Sequence, residues 1–295
     1  MSTGPAAVRA TEVRRLPEQD VRAGRRATAW TVGPEGEPSV LLMDGSGRSV
    51  LPPFDGELVT VTARGERRRS LVRVPVRPDH PALLPGRRVL VAAHRAGRGG
   101  SDAAPNAVVL GSEGRPVREL ALGDDLLVLT TDRAGRIWMA FGDEGIYGDH
   151  PVAHPGLTAA DPGGRVVRRP QEGELPGRPL EGLAAATEGM AAWPAWYPDS
   201  LVSLLTRVDP ADGTSRSVPS PVPEPLGFAI TGDRGVFLTR AGGSARYGRS
   251  ADGVCSGSRG RSTASARTAG TGCCGSGRAT PGTGWRPDPG PRQPV

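Results

Sequence analysis

The chain has 295 residues, room for one large β domain, and a formal net charge of +6. That charge invites a nucleic-acid reading and fails it on position: residues 241–295 carry 8 Arg against 2 acids, while residues 1–240 carry 29 of each. The body is neutral, so specific nucleic-acid binding is not expected of it.

Further exclusions follow from the residue usage. All the basic residues apart from His are Arg, Asn occurs once and Ile three times, which is the imprint of GC-rich codons and no evidence for arginine chemistry. No run of 18 apolar residues exists, so no membrane partner is expected. The first fifteen residues have no apolar h-region, and a cytoplasmic location is the expectation. Cys255, Cys273 and Cys274 all lie near the C-terminus, so the body has no disulfide to build on.

Along the chain, residues 1–27 are polar and Arg-rich and read as a lead-in. Residues 29–32 and 40–43 begin the first strands. Glu66-Arg67-Arg68-Arg69 reads as a solvated turn in preference to a phosphate contact. Residues 71–76, alternating Val with Arg and Pro, read as an edge strand. Residues 78–85 read as a turn-rich connection, 88–92 as a strand and 95–105 as a flexible Gly/Ser/Ala loop.

Residues 107–141 organise the rest. The apolar run 107–110 turns at Gly111-Ser112-Glu113-Gly114 into the more polar 115–120. After Gly123, the run 126–131 turns at Asp132-Arg133-Ala134-Gly135 into 136–141. Short β-rich runs closed by Gly- and Asp-containing turns signal hairpins. Relatives of the first hairpin recur at 40–50, 157–170 and 204–218, with turn glycines Gly47, Gly114, Gly164 and Gly213 spaced 67, 50 and 49 residues apart. The loop 95–105 accounts for the long first interval. The second hairpin recurs at 183–193 and 228–239, and a copy around Gly65 fits the same series. Residues 180–193 also place Leu180, Leu183, Thr187 and Met190 near one helical face, but Gly182, Gly189 and Pro194 favour strands.

A period near 50 with four short strands is a propeller-blade signature. The pattern predicts an all-β, β-propeller-like domain over residues 28–241 with four to five visible blades. From residue 242 to 295 the sequence turns to Gly, Ser, Thr, Ala, Arg and Pro, and reads as a disordered low-complexity tail that buries too little to offset ordering entropy. A natural tail and a slipped reading frame both stand. Gly272-Cys273-Cys274-Gly275 in codons such as GGC TGC TGC GGG reads Leu-Leu-Arg from the third base, and a slip would leave the ring incomplete.

The segment RIWMAFGDEGIYG at 136–148, after its DxxG-type turn, resembles segments of uncharacterised β-propeller-like proteins from high-GC actinobacteria. The resemblance spans about 40 to 240 and implies the fold, with no assigned activity. The GH…WD pair of WD40 blades and the kelch double-glycine pattern are both missing.

Two constellations carry chemistry. Asp143, Glu144, Asp149, His150 and His154 lie in one loop, and such oxygen and imidazole groups can ligate a divalent metal. The prolines at 151 and 155 oppose a helix through the two histidines, so a solvated loop without metal is the expectation. Trp193, Trp196 and Tyr197 cluster beside prolines, either as a partner-binding patch or as packing between blades. No G-x-S-x-G, P-loop or dinucleotide fingerprint is present. These residues favour a non-catalytic scaffold that binds a protein or small ligand through inter-blade loops, with no cofactor. The alternative is a metal-dependent hydrolase or lyase, lactonase-like, at the propeller mouth. Lactonase propellers draw Glu, Asn and Asp from several blades, and this chain has a single Asn.

Overall fold

A computed structural model describes residues 18–44, 51–62, 64–96, 104–199, 202–232, 234–238, 244–249 and 255–260. A short helix α1 (Glu18–Arg22) leads into five four-stranded antiparallel sheets, each made of consecutive strands. The first holds β1 (Arg25–Val32), β2 (Pro38–Asp44), β3 (Phe54–Val61) and β4 (Arg67–Val74). The second holds β5 (His80–Leu84), β6 (Arg88–Ala92), β7 (Ala107–Leu110) and β8 (Pro116–Leu120). The third holds β9 (Leu126–Thr131), β10 (Ile137–Phe141), β11 (Leu157–Ala160) and β12 (Val166–Arg168), with helix α2 (Asp143–Ile146) after β10. The fourth holds β13 (Glu181–Glu188), β14 (Ala191–Tyr197), β15 (Leu204–Val208) and β16 (Ser215–Pro219). The fifth holds β17 (Gly227–Thr231), β18 (Arg234–Leu238), β19 (Ser244–Arg249) and β20 (Cys255–Gly260). The fold is all-β and propeller-like, and no described helix is long and apolar enough to cross a membrane.

The first strands pack side by side in the order β1, β5, β9, β13, β17. Middle strands of the second, third and fourth sheets bury both faces because each of these sheets is covered twice. In β6, Val89 and Val91 pack toward the first sheet while Leu90 and Ala92 pack toward the third. In β10, Ile137, Met139 and Phe141 face the second sheet; Trp138 and Ala140 face the fourth. Trp193, Leu205, Ile230 and Phe237 join the fourth sheet to the fifth. The strand period of two therefore sorts side chains between two neighbours instead of between core and water. Inner-strand threonines add links between sheets: Thr131 Oγ1 donates to the Leu83 carbonyl at 2.6 Å and Thr187 Oγ1 to the Thr131 carbonyl at 3.2 Å.

Several expectations change in register. Gly114, Gly164 and Gly213 each turn a third strand into a fourth. Their first-sheet counterpart is Gly65, between β3 and β4, which makes the spacings 49, 50 and 49. Gly47 lies outside the described residues, between β2 and β3 in the chain, so the interval of 67 crossed two kinds of turn. The span 78–85 is not a connection but contains β5, whose Pro81 pairs opposite Val91. The Arg run at 67–69 is no turn either: it opens β4, paired with Val61, Thr60 and Val59. The 180–193 stretch is β13 turning at Gly189 into β14, as the glycines indicated.

Ordered structure also starts before residue 28, with α1 and β1. At the other end, β19 and β20 fall within the span 242–295. Backbone pairing with β18 needs no apolar side chains, and an open strand edge is a template for it. The rest of that span, with Cys273 and Cys274, lies outside the described residues.

The D-x-x-G-R turns owe their form to the Asp. Asp132, wholly buried, accepts from the Ala134 and Arg136 backbone N–H through Oδ1 and from Arg136 Nε (2.7 Å) and Trp138 Nε1 (2.8 Å) through Oδ2. Asp161 makes the same bonds to Gly163 and Arg165 at a more exposed turn. Asp132→Ala would remove the carboxylate partner of the Arg136 guanidinium and of the Trp138 indole N–H and should cost about 3 kcal/mol. Asp161→Ala should cost less than about 1 kcal/mol. Urea unfolding of the two variants side by side measures the difference.

Candidate functional site

Alternating strand direction puts the first–second and third–fourth turns of every sheet at one end, the turn face. The second–third loops and the connections between sheets share the other, the loop face. A channel of about 290 Å³ runs between them, lined by all five first strands, from Asp79 and His80 at the loop face to Gly33, Pro34 and Gly36 at the turn face. Trp30, Leu127, Leu129, Leu183 and Phe228 supply most of its apolar wall.

The loop face carries a charged network at the second and third sheets. The His94 backbone N–H donates to Asp79 Oδ2 at 2.9 Å. His94 Nδ1 lies 2.8 Å from the Leu126 carbonyl, so it must donate. Its Nε2 lies 3.2 Å from Asp125 Oδ1, a carboxylate, so it must donate as well. Acceptors at both nitrogens favour the charged ring: the hydrogen bond to Asp125 raises the His94 pKa above its ordinary 6.5, against the pull of burial. Burial pulls Asp125 upward in turn, but His94 and the Arg95 charge outweigh it and the carboxyl ends below its ordinary range. Arg95 reaches Asp124 at 3.3 Å, Asp125 at 3.4 Å and Glu144 closer still. Far from lying in a flexible loop, Arg95 is pinned on three sides.

The glycines of the GDEGIYG stretch make room for this network. Asp125 has a φ of 54° and its carboxylate nests against α2, accepting the Glu144 N–H at 3.1 Å. A Cβ on Gly142 would sit 2.2 Å from Asp125 Oδ2, and one on Gly145 would sit 2.1 Å from the Asp124 carbonyl oxygen. The single asparagine fixes the backbone behind it. Buried Asn106 donates from Nδ2 to the Gly123 carbonyl at 2.7 Å and accepts the Leu122 N–H at 2.8 Å, holding the connection that carries Asp124 and Asp125.

Of the residues singled out in the 143–154 loop, Glu144 alone is drawn into a contact with another sheet, through Arg95. Asp143 accepts the Glu144 N–H from its own helix, and Asp149 is exposed. His154 Nε2 meets the Gly148 carbonyl at 2.9 Å. His150 Nε2 is enclosed without a hydrogen-bond partner, and burial lowers its pKa. Among the described residues no group of three or more His, Cys, Asp or Glu side chains is placed to hold a metal ion.

The aromatic cluster is on a strand and not on a loop, which corrects the patch reading. Trp193 and Trp196 are buried in β14, Trp196 donating from Nε1 to Thr206 Oγ1 at 2.8 Å. Tyr197, at the strand end, donates to the Pro223 carbonyl at 2.8 Å; burial and the Glu224 and Glu181 carboxylates push its phenol pKa up. The residues that sequence reasoning missed are Asp79, His94, Arg95, Asn106, Asp124 and Asp125. Their one signal was position: polar residues flanking apolar strand runs.

No family model and no curated protein matches the chain. Among solved structures it is similar to a protein of unknown function from Bacteroides caccae, at 13% identity and a TM-score of 0.42, over 68% of this chain and 69% of that one. It is also similar to a luciferin-regenerating enzyme, at 11% identity and a TM-score of 0.34, over 61% of this chain and 56% of the enzyme. Likenesses this distant carry nothing about activity.

The histidines set opposite limbs of a pH profile. A raised His94 pKa contributes stability that is full below pH 6.5 and is lost as pH rises through the folded pKa. Burial lowers His80 to about 4, against a small upward pull from Asp79, so stability falls as pH drops from 6.5 toward that value. His150 acts in the same direction as His80. Thermal unfolding should therefore show a maximum near pH 6.5. His94→Gln should flatten the alkaline limb and leave the acid limb in place.

Proposed function

We propose that the chain is a non-catalytic propeller-like scaffold that binds a small ligand or a protein through its inter-blade loops, with the channel mouth as the docking point. The observation that carries this reading is the commitment of the loop-face charges to one another. A general base needs a lone pair within reach of its substrate, and both ring nitrogens of His94 already face acceptors within the protein. Asp125, Asp124 and Glu144 are engaged by His94, Arg95 and backbone N–H groups. What the network does supply is a firm rim around an apolar channel, which favours a compact and largely apolar ligand.

The metal-dependent hydrolase or lyase reading needs acids or histidines converging from several sheets, and the 143–154 loop sends only Glu144 across. Kinship with the uncharacterised actinobacterial proteins and a cytoplasmic location belong to this proposal on the sequence reading alone.

Gly227 offers a test. It lines the channel, and a Cβ there meets no atom within 4 Å, so a larger side chain enters open space. The full chain should bind the fluorescent probe anilinonaphthalene sulfonate saturably. Gly227→Trp should weaken that binding at least tenfold with an unchanged melting temperature. Equal binding by the variant would sink the channel as the docking point. Micromolar zinc binding that disappears in a His150→Ala, His154→Ala double variant would overturn the non-catalytic reading.

A further inference from the structure

A cavity of about 610 Å³ lies between the first and second sheets on the turn face. Its floor is apolar, with Val72, Leu84 and Leu110 among its lining. Its lining also holds Arg68, Arg69, Arg87, Arg88 and Arg133, against Glu35 and Glu37 as the acids that line it. Residues 1–240 balance Arg against acids, so this local excess is not a consequence of overall basicity.

The pairing leaves three of the five cations available. Arg69 is held by Asp20 at 2.9 Å and Glu57 at 2.8 Å, and Arg133 by Glu35 at 3.0 Å. Glu37 folds back to accept the Glu35 N–H at 2.9 Å. Arg68 has only Glu66, at 3.8 Å, and is otherwise exposed. Arg88 spends its Nε on the Pro85 carbonyl at 3.0 Å. Arg87 is exposed and has no partner among the described residues.

Arg87 is also one of only two non-glycine residues at positive φ among those described, at 61°, next to Gly86 at 75°. Gly86 and Arg87 lie in the three-residue turn Pro85–Arg87 that joins β5 to β6, where a left-handed position favours Gly or Asn. An arginine in that conformation costs energy that a glycine would not, and strain of this kind gathers at ligand clamps. Charge, cavity and strain thus meet at one turn.

We propose that this cleft binds an organic phosphate: a small molecule whose apolar body rests on the Val72, Leu84 and Leu110 floor and whose phosphate is taken by Arg68, Arg87 and Arg88. The volume is that of a small-molecule site, and guanidinium groups match phosphate oxygens through paired N–H donors. The site lies on the turn face, where it shares Pro34 with the channel lining, and it uses none of the loop-face groups on which the scaffold reading rests.

Calorimetry on the full chain tests it, with AMP, glucose 6-phosphate, adenosine and inorganic phosphate as probes. At least one of the two organic phosphates should bind with a micromolar Kd, and adenosine and inorganic phosphate at least tenfold more weakly. Arg87→Gly is the informative variant, because it removes the charge and relieves the left-handed backbone together. It should melt no lower than the parent and bind the phosphate at least tenfold more weakly, and Arg68→Gln should weaken it in the same direction. Gly227→Trp, in the channel, should bind it unchanged. No saturable binding of either organic phosphate, or binding that survives in both arginine variants, would overturn the proposal. So would an RNA oligomer that binds more tightly than both and depends on Arg87, which would reassign the cleft to nucleic acid.

Discussion

A four-stranded sheet with apolar side chains on both faces cannot stand alone in water, and this chain solves the problem by stacking. The middle strands of the second, third and fourth sheets are shared between two neighbours, and the buried clusters lie between sheets, not within them. The consequence is mutual dependence. Leu90 and Val91 are adjacent in β6, yet one is covered by the third sheet and the other by the first. Stability is then close to a sum of neighbour terms, and the strands β1, β5, β9, β13 and β17 are brought together at an axis that no single sheet contains.

That axis gives the molecule two ends of different chemistry. At the loop face, irregular connections carry carboxylates and an imidazole held at both nitrogens, clamped from behind by Asn106. At the turn face, short hairpins present guanidinium groups around an apolar cleft. The difference follows from chain length at each end. Tight turns leave side chains on their tips to project outward, as at Arg87. The longer second–third loops can fold back and satisfy one another, as α2 does over Asp125. The same contrast separates groups that are spent from groups that remain available.

Local turn chemistry was well legible. The D-x-x-G-R pattern at 132–136 and 161–165 specifies a turn because an Asp carboxylate can meet the next N–H groups and the Arg side chain without help from elsewhere. The polar alternation of β4, β8 and β12 likewise marked outer strands before any packing was known. Less legible were elements whose reason is a distant partner. β5 carries prolines at 81 and next to its end, and reads as a connection until β6 is laid beside it. β20 has almost no apolar content and exists as a strand through pairing with β19. Gly65 and Gly47 look alike in sequence, and only the strand order separates their turns.

By itself, then, the sequence determined the repeat near 50 residues, the hairpin positions, the neutral body and the all-β class, since each rests on contacts between residues close in the chain or on composition. Tertiary structure decided the rest. His94 and Asp125 are 31 positions apart, and Arg68 and Arg87 stand on different sheets; nothing local announces either group. Trp193 and Trp196 could be read as a partner-binding patch or as packing between blades, and they are core because the fourth sheet is covered on both sides. The physical reason is common to all of them: a side chain's partners, and hence its charge state and availability, are set by which sheets lie against each other.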